Sequence, residues 1–172
     1  DADYESIKQR FLEVTGLELF INDELQGEPA GPVSAQPGQM EQNKVFMLLD
    51  EVFADKPHRL YKKGLKRDGT GSYVELSFIS PEIGAQYSDV IKQLEEKTGW
   101  TMRINPNPNQ NEIIKLARRL MEGNGLRLKR NPGFYQTEKV VRVTPAGEWE
   151  QEIFEKLRDE FIRRTGYSLL ND

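Results

Sequence analysis

The chain has 172 residues, 24 basic and 28 acidic side chains, a net charge of −4 and no cysteine. That length holds one domain or two small ones around a buried core. The composition excludes disulfides, thiol chemistry and cysteine-ligated metal centres, and the lack of any apolar run of about 18 residues excludes a membrane-spanning helix.

The chain opens Asp1-Ala2-Asp3 with no Met and no basic-then-apolar leader. No secretory signal is expected, and the sequence reads as an excised part of a longer protein or one whose start is missing. Zero cysteines fit a reducing, cytoplasmic interior. Tyr4, Ile7, Phe11 and Val14 share one face of a helix over 3–14, and Leu17, Leu19 and Ile21 alternate as a strand. Residues 1–23 therefore read as an N-terminal helix–strand, and 24–40, rich in Gly and Pro, as a linker or long loop. Residues 41–110 read as a first α/β unit and 111–172 as a second.

The first unit begins with a helix over 42–54, ended at Lys56-Pro57. A short strand over 60–66 turns at Asp68-Gly69, a hairpin signal, into the strand Val74, Leu76, Phe78. Ser80-Pro81 opens a helix with Ile83, Tyr87, Val90, Ile91 and Leu94 at helical spacing, read as one helix of about five turns. Thr98-Gly99 ends it, and Trp100, Met102 and Ile104 alternate as a strand. After the stiff turn Pro106-Asn-Pro-Asn, Asn109 and Glu112 form a capping-box pattern for a helix over 111–121. Residues 126–129 and 139–143 read as strands around the Asn131-Pro-Gly turn. Thr144-Pro145 opens the last helix, with Trp149, Ile153, Phe154, Leu157 and Phe161 on one face. Thr165-Gly166 closes it before a strand at Tyr167, Leu169 and Leu170.

Phe11 to Leu19, Leu94 to Met102 and Phe161 to Leu169 share one pattern: apolar, three residues, Thr-Gly, large apolar, polar, apolar. A recurring unit is an architectural cue. The expected class is α+β, with duplicated β-α-β units forming small mixed sheets covered by helices.

Catalysis has little to stand on. His58 is the only histidine and reads as a solvated turn residue, and the carboxylates fall on helix faces beside Lys and Arg. No nucleophile–base, metal or phosphate-loop motif appears. The module is expected not to be catalytic by itself, and to need no cofactor and no metal.

Binding has more. Residues 59–67 carry a local +5 and residues 115–142 a local +6, so the remaining chain carries −15. Brought together, those segments would create an oriented field. Arg59, Lys62, Lys63, Lys66, Arg118, Arg119, Arg127, Lys129 and Arg130 are the candidate phosphate contacts, with Phe134 or Tyr135 as stacking platforms. Phe134 and Tyr135 could equally be core. The helix start after 105–109 is a further candidate anion site.

Ile91-Lys-Gln-Leu-Glu-Glu-Lys-Thr-Gly-Trp-Thr-Met-Arg-Ile resembles the end of a K-homology nucleic-acid-binding domain, where a helix ends in Thr-Gly and passes into an alternating strand. The resemblance covers Val74 to Ile104, with a second copy at Val140 to Leu170. It implies a K-homology-like shape and an RNA or single-stranded DNA partner. The family's Gly-x-x-Gly loop, which clamps the backbone, is absent: Pro81-Glu-Ile-Gly84 and Pro145-Ala-Gly-Glu148 stand in its place. No residue inherits that grip. The expected function is a nucleic-acid-binding accessory module of a larger protein, contacting the backbone through basic segments. The alternative is a protein-interaction or scaffolding domain of the same shape, bound to other domains of its chain or to a protein partner.

Overall fold

The computed structural model describes residues 38–172, which fall in the second of the chain's two structural units. The helix over 3–14, the strand over 17–21, most of the linker and the first Thr-Gly copy lie outside the described residues.

Helix α1, Gln42–Ala54, buries Val45, Leu49 and Phe53, one side chain per helical turn. Strands β1, Lys62–Asp68, and β2, Gly71–Ser77, form an antiparallel hairpin closed by the pair Asp68 and Gly71. Its two turn residues are Gly69 and Thr70. The Asp68 carboxylate accepts the Thr70 amide at 2.8 Å and the Thr70 hydroxyl at 2.6 Å. Gly71 has φ +127°, a conformation that side chains rarely adopt.

Two helices follow, α2, Pro81–Ala85, and α3, Ser88–Thr98, and then β3, Met102–Ile104, which pairs parallel to β2. The sequence reads as one helix here, and the chain makes two. At the break the Gln86 and Tyr87 amides bond the Ile83 and Gly84 carbonyls, three residues back, so the four-residue ladder stops and restarts. The buried Tyr87 ring stacks on Phe78 at 5.6 Å and meets Phe53 edge-on at 5.5 Å. The break seats that ring in the core.

Helix α4, Gln110–Gly123, starts on the Asn109 side chain, which accepts the Glu112 amide at 3.3 Å. Then come β4, Gly133–Tyr135, β5, Val140–Val143, helix α5, Gln151–Thr165, and β6, Ser168–Asn171. Residues 126–129, read as a strand, make only one isolated bridge, Leu128 to Pro145, while Phe134 and Tyr135, left between the two expected strands, lie in β4. Thr144-Pro145 consequently does not open the last helix. The Thr144 carbonyl accepts the Lys129 amide at 2.8 Å, and α5 starts only at Gln151.

The class is α+β, with five helices and two mixed three-stranded sheets among the described residues. The orders are β1-β2-β3 and β4-β5-β6. In each, the first pair is antiparallel and the second parallel. Each sheet buries one side: Val74, Leu76 and Met102 in the first, Val141, Val143 and Leu169 in the second. Each such side chain removed from water contributes roughly 1.5–3 kcal/mol. Tyr73, Glu75 and Arg103 alternate onto the opposite face of the first sheet.

The two Thr-Gly joints have one geometry. Gly99 and Gly166 sit at φ 72° and 73°, the left-handed conformation that a helix end followed by Gly predicts. The Thr98 hydroxyl donates to the Leu94 carbonyl at 2.7 Å and accepts the Trp100 amide at 3.3 Å. The Thr165 hydroxyl does the same with Phe161 and Tyr167, at 2.8 and 3.1 Å. Trp100 and Tyr167 thereby enter the core as two of its largest fully buried side chains.

Candidate functional site

The sequence between α1 and β1 cannot stay helical through Lys56-Pro57, so it runs on through a turn and bends at 55–58 and then irregular chain to β1. That segment presents His58, Arg59 and Tyr61. Helix α4 brings Arg119 and Leu116 beside it, and α5 brings Glu160, Arg163 and Arg164. Together with Ile79 and Gln86 these side chains line a cleft of about 790 Å³. Four arginines face one glutamate.

Glu160 offsets part of that charge by pairing with Arg164 at 2.6 Å. Among the described residues no ion pair involves Arg59, Arg119 or Arg163, and all three side chains are exposed. Exposed cations without an internal carboxylate are the ones that can bind an external anion with no prior bond to break. Burial raises the Tyr61 hydroxyl above its ordinary value. The Glu112 charge adds to that shift, while Arg59, Arg119 and Lys115 oppose it. Segment 59–61 and helix α4 thus share one electrostatic environment, and the Arg59 guanidinium lies 5.4 Å from the centre of the Tyr61 ring.

His58 is not a solvated turn residue. Its Nε2 lies 2.7 Å from the Arg163 carbonyl, which can only accept, so Nε2 carries the proton. Its Nδ1 lies 2.7 Å from the Tyr87 hydroxyl, which donates to it when the ring is neutral. The ring ties the last turn of α5 to the Phe53–Phe78–Tyr87 cluster.

The basic residues singled out in the sequence divide. Arg59 and Arg119 line the cleft. Lys62 and Lys66 are exposed on β1, outside it. Lys63 pairs with Asp50 of α1 and lies over the Phe46 ring. Arg118 is hydrogen-bonded to Asn131. Arg130 pairs with Asp172 at 2.7 Å and donates to the Thr144 hydroxyl at 2.9 Å. Arg127 and Lys129 are exposed beside the Leu128 bridge. Phe134 is half-buried and stacked on Tyr167 at 5.3 Å, whereas Tyr135 is 44% exposed, with Arg142 over its ring at 5.5 Å. The start of α4 holds the Glu112 carboxylate in its first turn, which opposes an anion there.

Arg163 and Arg164 were missed because they sit on the exposed side of an amphipathic helix, where cations usually only meet water. Among the described residues no group of three or more His, Asp or Glu could hold a metal ion, and no helix is long and apolar enough to cross a membrane. No family model matches the chain, and no curated protein matches it.

Proposed function

We propose that this protein is a non-catalytic nucleic-acid-binding module that grips the phosphate backbone in the arginine cleft. The observation that carries the reading is the convergence of Arg59, Arg119 and Arg163 from three separate segments, all unpaired, around one cavity in a chain that is acidic overall. Like charges gathered at one place cost free energy without an anion between them, and guanidinium groups match phosphate oxygens two at a time.

In this reading the α1-to-β3 and α4-to-β6 segments are two copies of one K-homology-like unit. The shared strand order and the matching Thr-Gly joints support it. The backbone grip is then a cleft of arginines in place of the family's glycine loop.

A second reading, a protein-interaction domain, is favoured by the internal partners of Lys63, Arg118 and Arg130, which leave fewer cations for phosphate. Fluorescence anisotropy with labelled single-stranded RNA and DNA, at about 50 and about 200 mM salt, separates the two. Binding at the lower salt that is lost in Arg119→Ala/Arg163→Ala supports the cleft. Folded protein with no binding at the lower salt leaves the interaction reading.

A further inference from the structure

The cleft is larger and more apolar than a phosphate requires. Its volume of about 790 Å³ lies within the ~300–1,000 Å³ of cavities that enclose whole small molecules. The lining also includes the buried Ile79 and Leu116 and the half-buried Tyr61 ring. Arg59 stands over that ring and adds a planar, delocalised surface of its own. Both nitrogens of His58 are engaged, so its ring is a fixed wall. The lining thus offers flat and apolar surface, and Arg119 and Arg163 offer unpaired charge.

Resting on the reading of the cleft as a phosphate grip, we propose that it seats one whole unstacked nucleotide, its base against Tyr61 and Arg59 and its phosphate between Arg119 and Arg163. A sugar phosphate without a base would leave the apolar lining wet. A duplex keeps its bases stacked and meets the protein as a convex rod, so it cannot fill the cavity. A single strand can turn one nucleotide in, because every base has a face that stacks on an aromatic ring.

The test uses the full chain bound to a labelled single-stranded oligonucleotide, with five competitors: a nucleoside 5′-monophosphate, ribose 5-phosphate, inorganic phosphate, the unlabelled single strand and its duplex. The monophosphate should displace the strand at a concentration at least about tenfold below that of ribose 5-phosphate, the advantage expected of one base stack. Tyr61→Leu should erase that advantage while leaving ribose 5-phosphate unchanged. If that variant fails to fold, the competitor ratio in the unaltered protein still decides. A monophosphate that competes no better than ribose 5-phosphate overturns the nucleotide seat and leaves the phosphate grip standing. Duplex that displaces the strand as well as the single strand does overturns it too. An oligonucleotide that does not bind at all removes both.

Discussion

The Ser80 hydroxyl donates to the Thr165 carbonyl at 2.5 Å and accepts the Ile83 amide at 3.2 Å. One buried oxygen therefore caps the first turn of α2 and satisfies the last turn of α5, 85 residues away in sequence. Without it, a helix-end carbonyl and a helix-start amide are left in a site that water does not reach. Ser80→Ala should cost roughly 1–3 kcal/mol, the cap plus the orphaned carbonyl. Urea unfolding measures it, and a change below about 0.5 kcal/mol, the range of an ordinary surface substitution, would mean that water replaces the hydroxyl.

The second prediction concerns Gly166. Its φ of 73° already disfavours a side chain, and a β-carbon there would lie 2.6 Å from the Glu82 β-carbon. Gly166→Ala should destabilise by about 2–3 kcal/mol, the left-handed cost plus the displacement of α2. Gly99→Ala should behave alike, since its β-carbon would meet the Gly38 carbonyl oxygen at 2.6 Å. Gly64, in β1, has open space around it and no positive φ. Gly64→Ala should be neutral or gain up to about 1 kcal/mol, because alanine restricts the unfolded chain more. Thermal unfolding of the three variants side by side checks the contrast.

These joints also show what could be read from the residues alone. A helical face ending in Thr-Gly specifies a left-handed residue locally, so Gly99 and Gly166 were legible, as was the Asn109 cap. The break before Tyr87 was not, because both of its flanks have helical spacing and only the distant Phe53 and Phe78 give the ring somewhere to go. Thr144-Pro145 looked like Ser80-Pro81 and behaves differently. Its carbonyl is taken by Lys129, a partner that no local rule supplies. Half of the cleft was hidden for the same reason. Arg59 and Arg119 stood out by charge density, but His58 finds partners 29 and 105 residues away, and only packing brings Arg163 to Arg59.

Asp68 gives a prediction in pH. Hydrogen bonds from the Thr70 hydroxyl, from Arg103 and from the Thr70 amide hold its carboxyl down to about 2, from an ordinary 3.8. A depressed folded value means that the folded state binds the proton less readily than the unfolded chain. The resulting stability is fully present above the ordinary value and is lost as pH falls from about 4 to about 2. Asp68→Asn should therefore be less stable than the unaltered protein near neutrality, with the difference shrinking through that window. Carboxyl-carbon NMR should place the Asp68 midpoint near 2, and a midpoint near 4 would show that the Thr70 and Arg103 contacts do not persist in solution.

Salt dependence separates the cleft from the other cations. Each phosphate contact to a single strand releases condensed counterions and adds about −0.7 to the slope of log affinity against log salt. Arg119 and Arg163 are the unpaired guanidiniums of the cleft that face phosphate, while Arg59 stands over the Tyr61 ring, so at least two contacts and a slope of about −1.4 or steeper are expected. Arg119→Ala/Arg163→Ala should flatten that slope by about 1.4, two contacts' worth. Arg127→Ala/Lys129→Ala/Arg130→Ala removes more formal charge, but Arg130 already spends its charge on Asp172, and none of the three lines the cleft. If the cleft carries the grip, that triple variant should lower affinity only through the long-range field and change the slope by less than one contact's worth. Fold stability should be unchanged by Arg127→Ala or Lys129→Ala, since exposed charges contribute little to it. Anisotropy titrations at four or more salt concentrations give the slopes. A triple variant that flattens the slope by about two while the cleft double leaves it intact would move the binding surface to the strand bridge at Leu128 and away from the cleft.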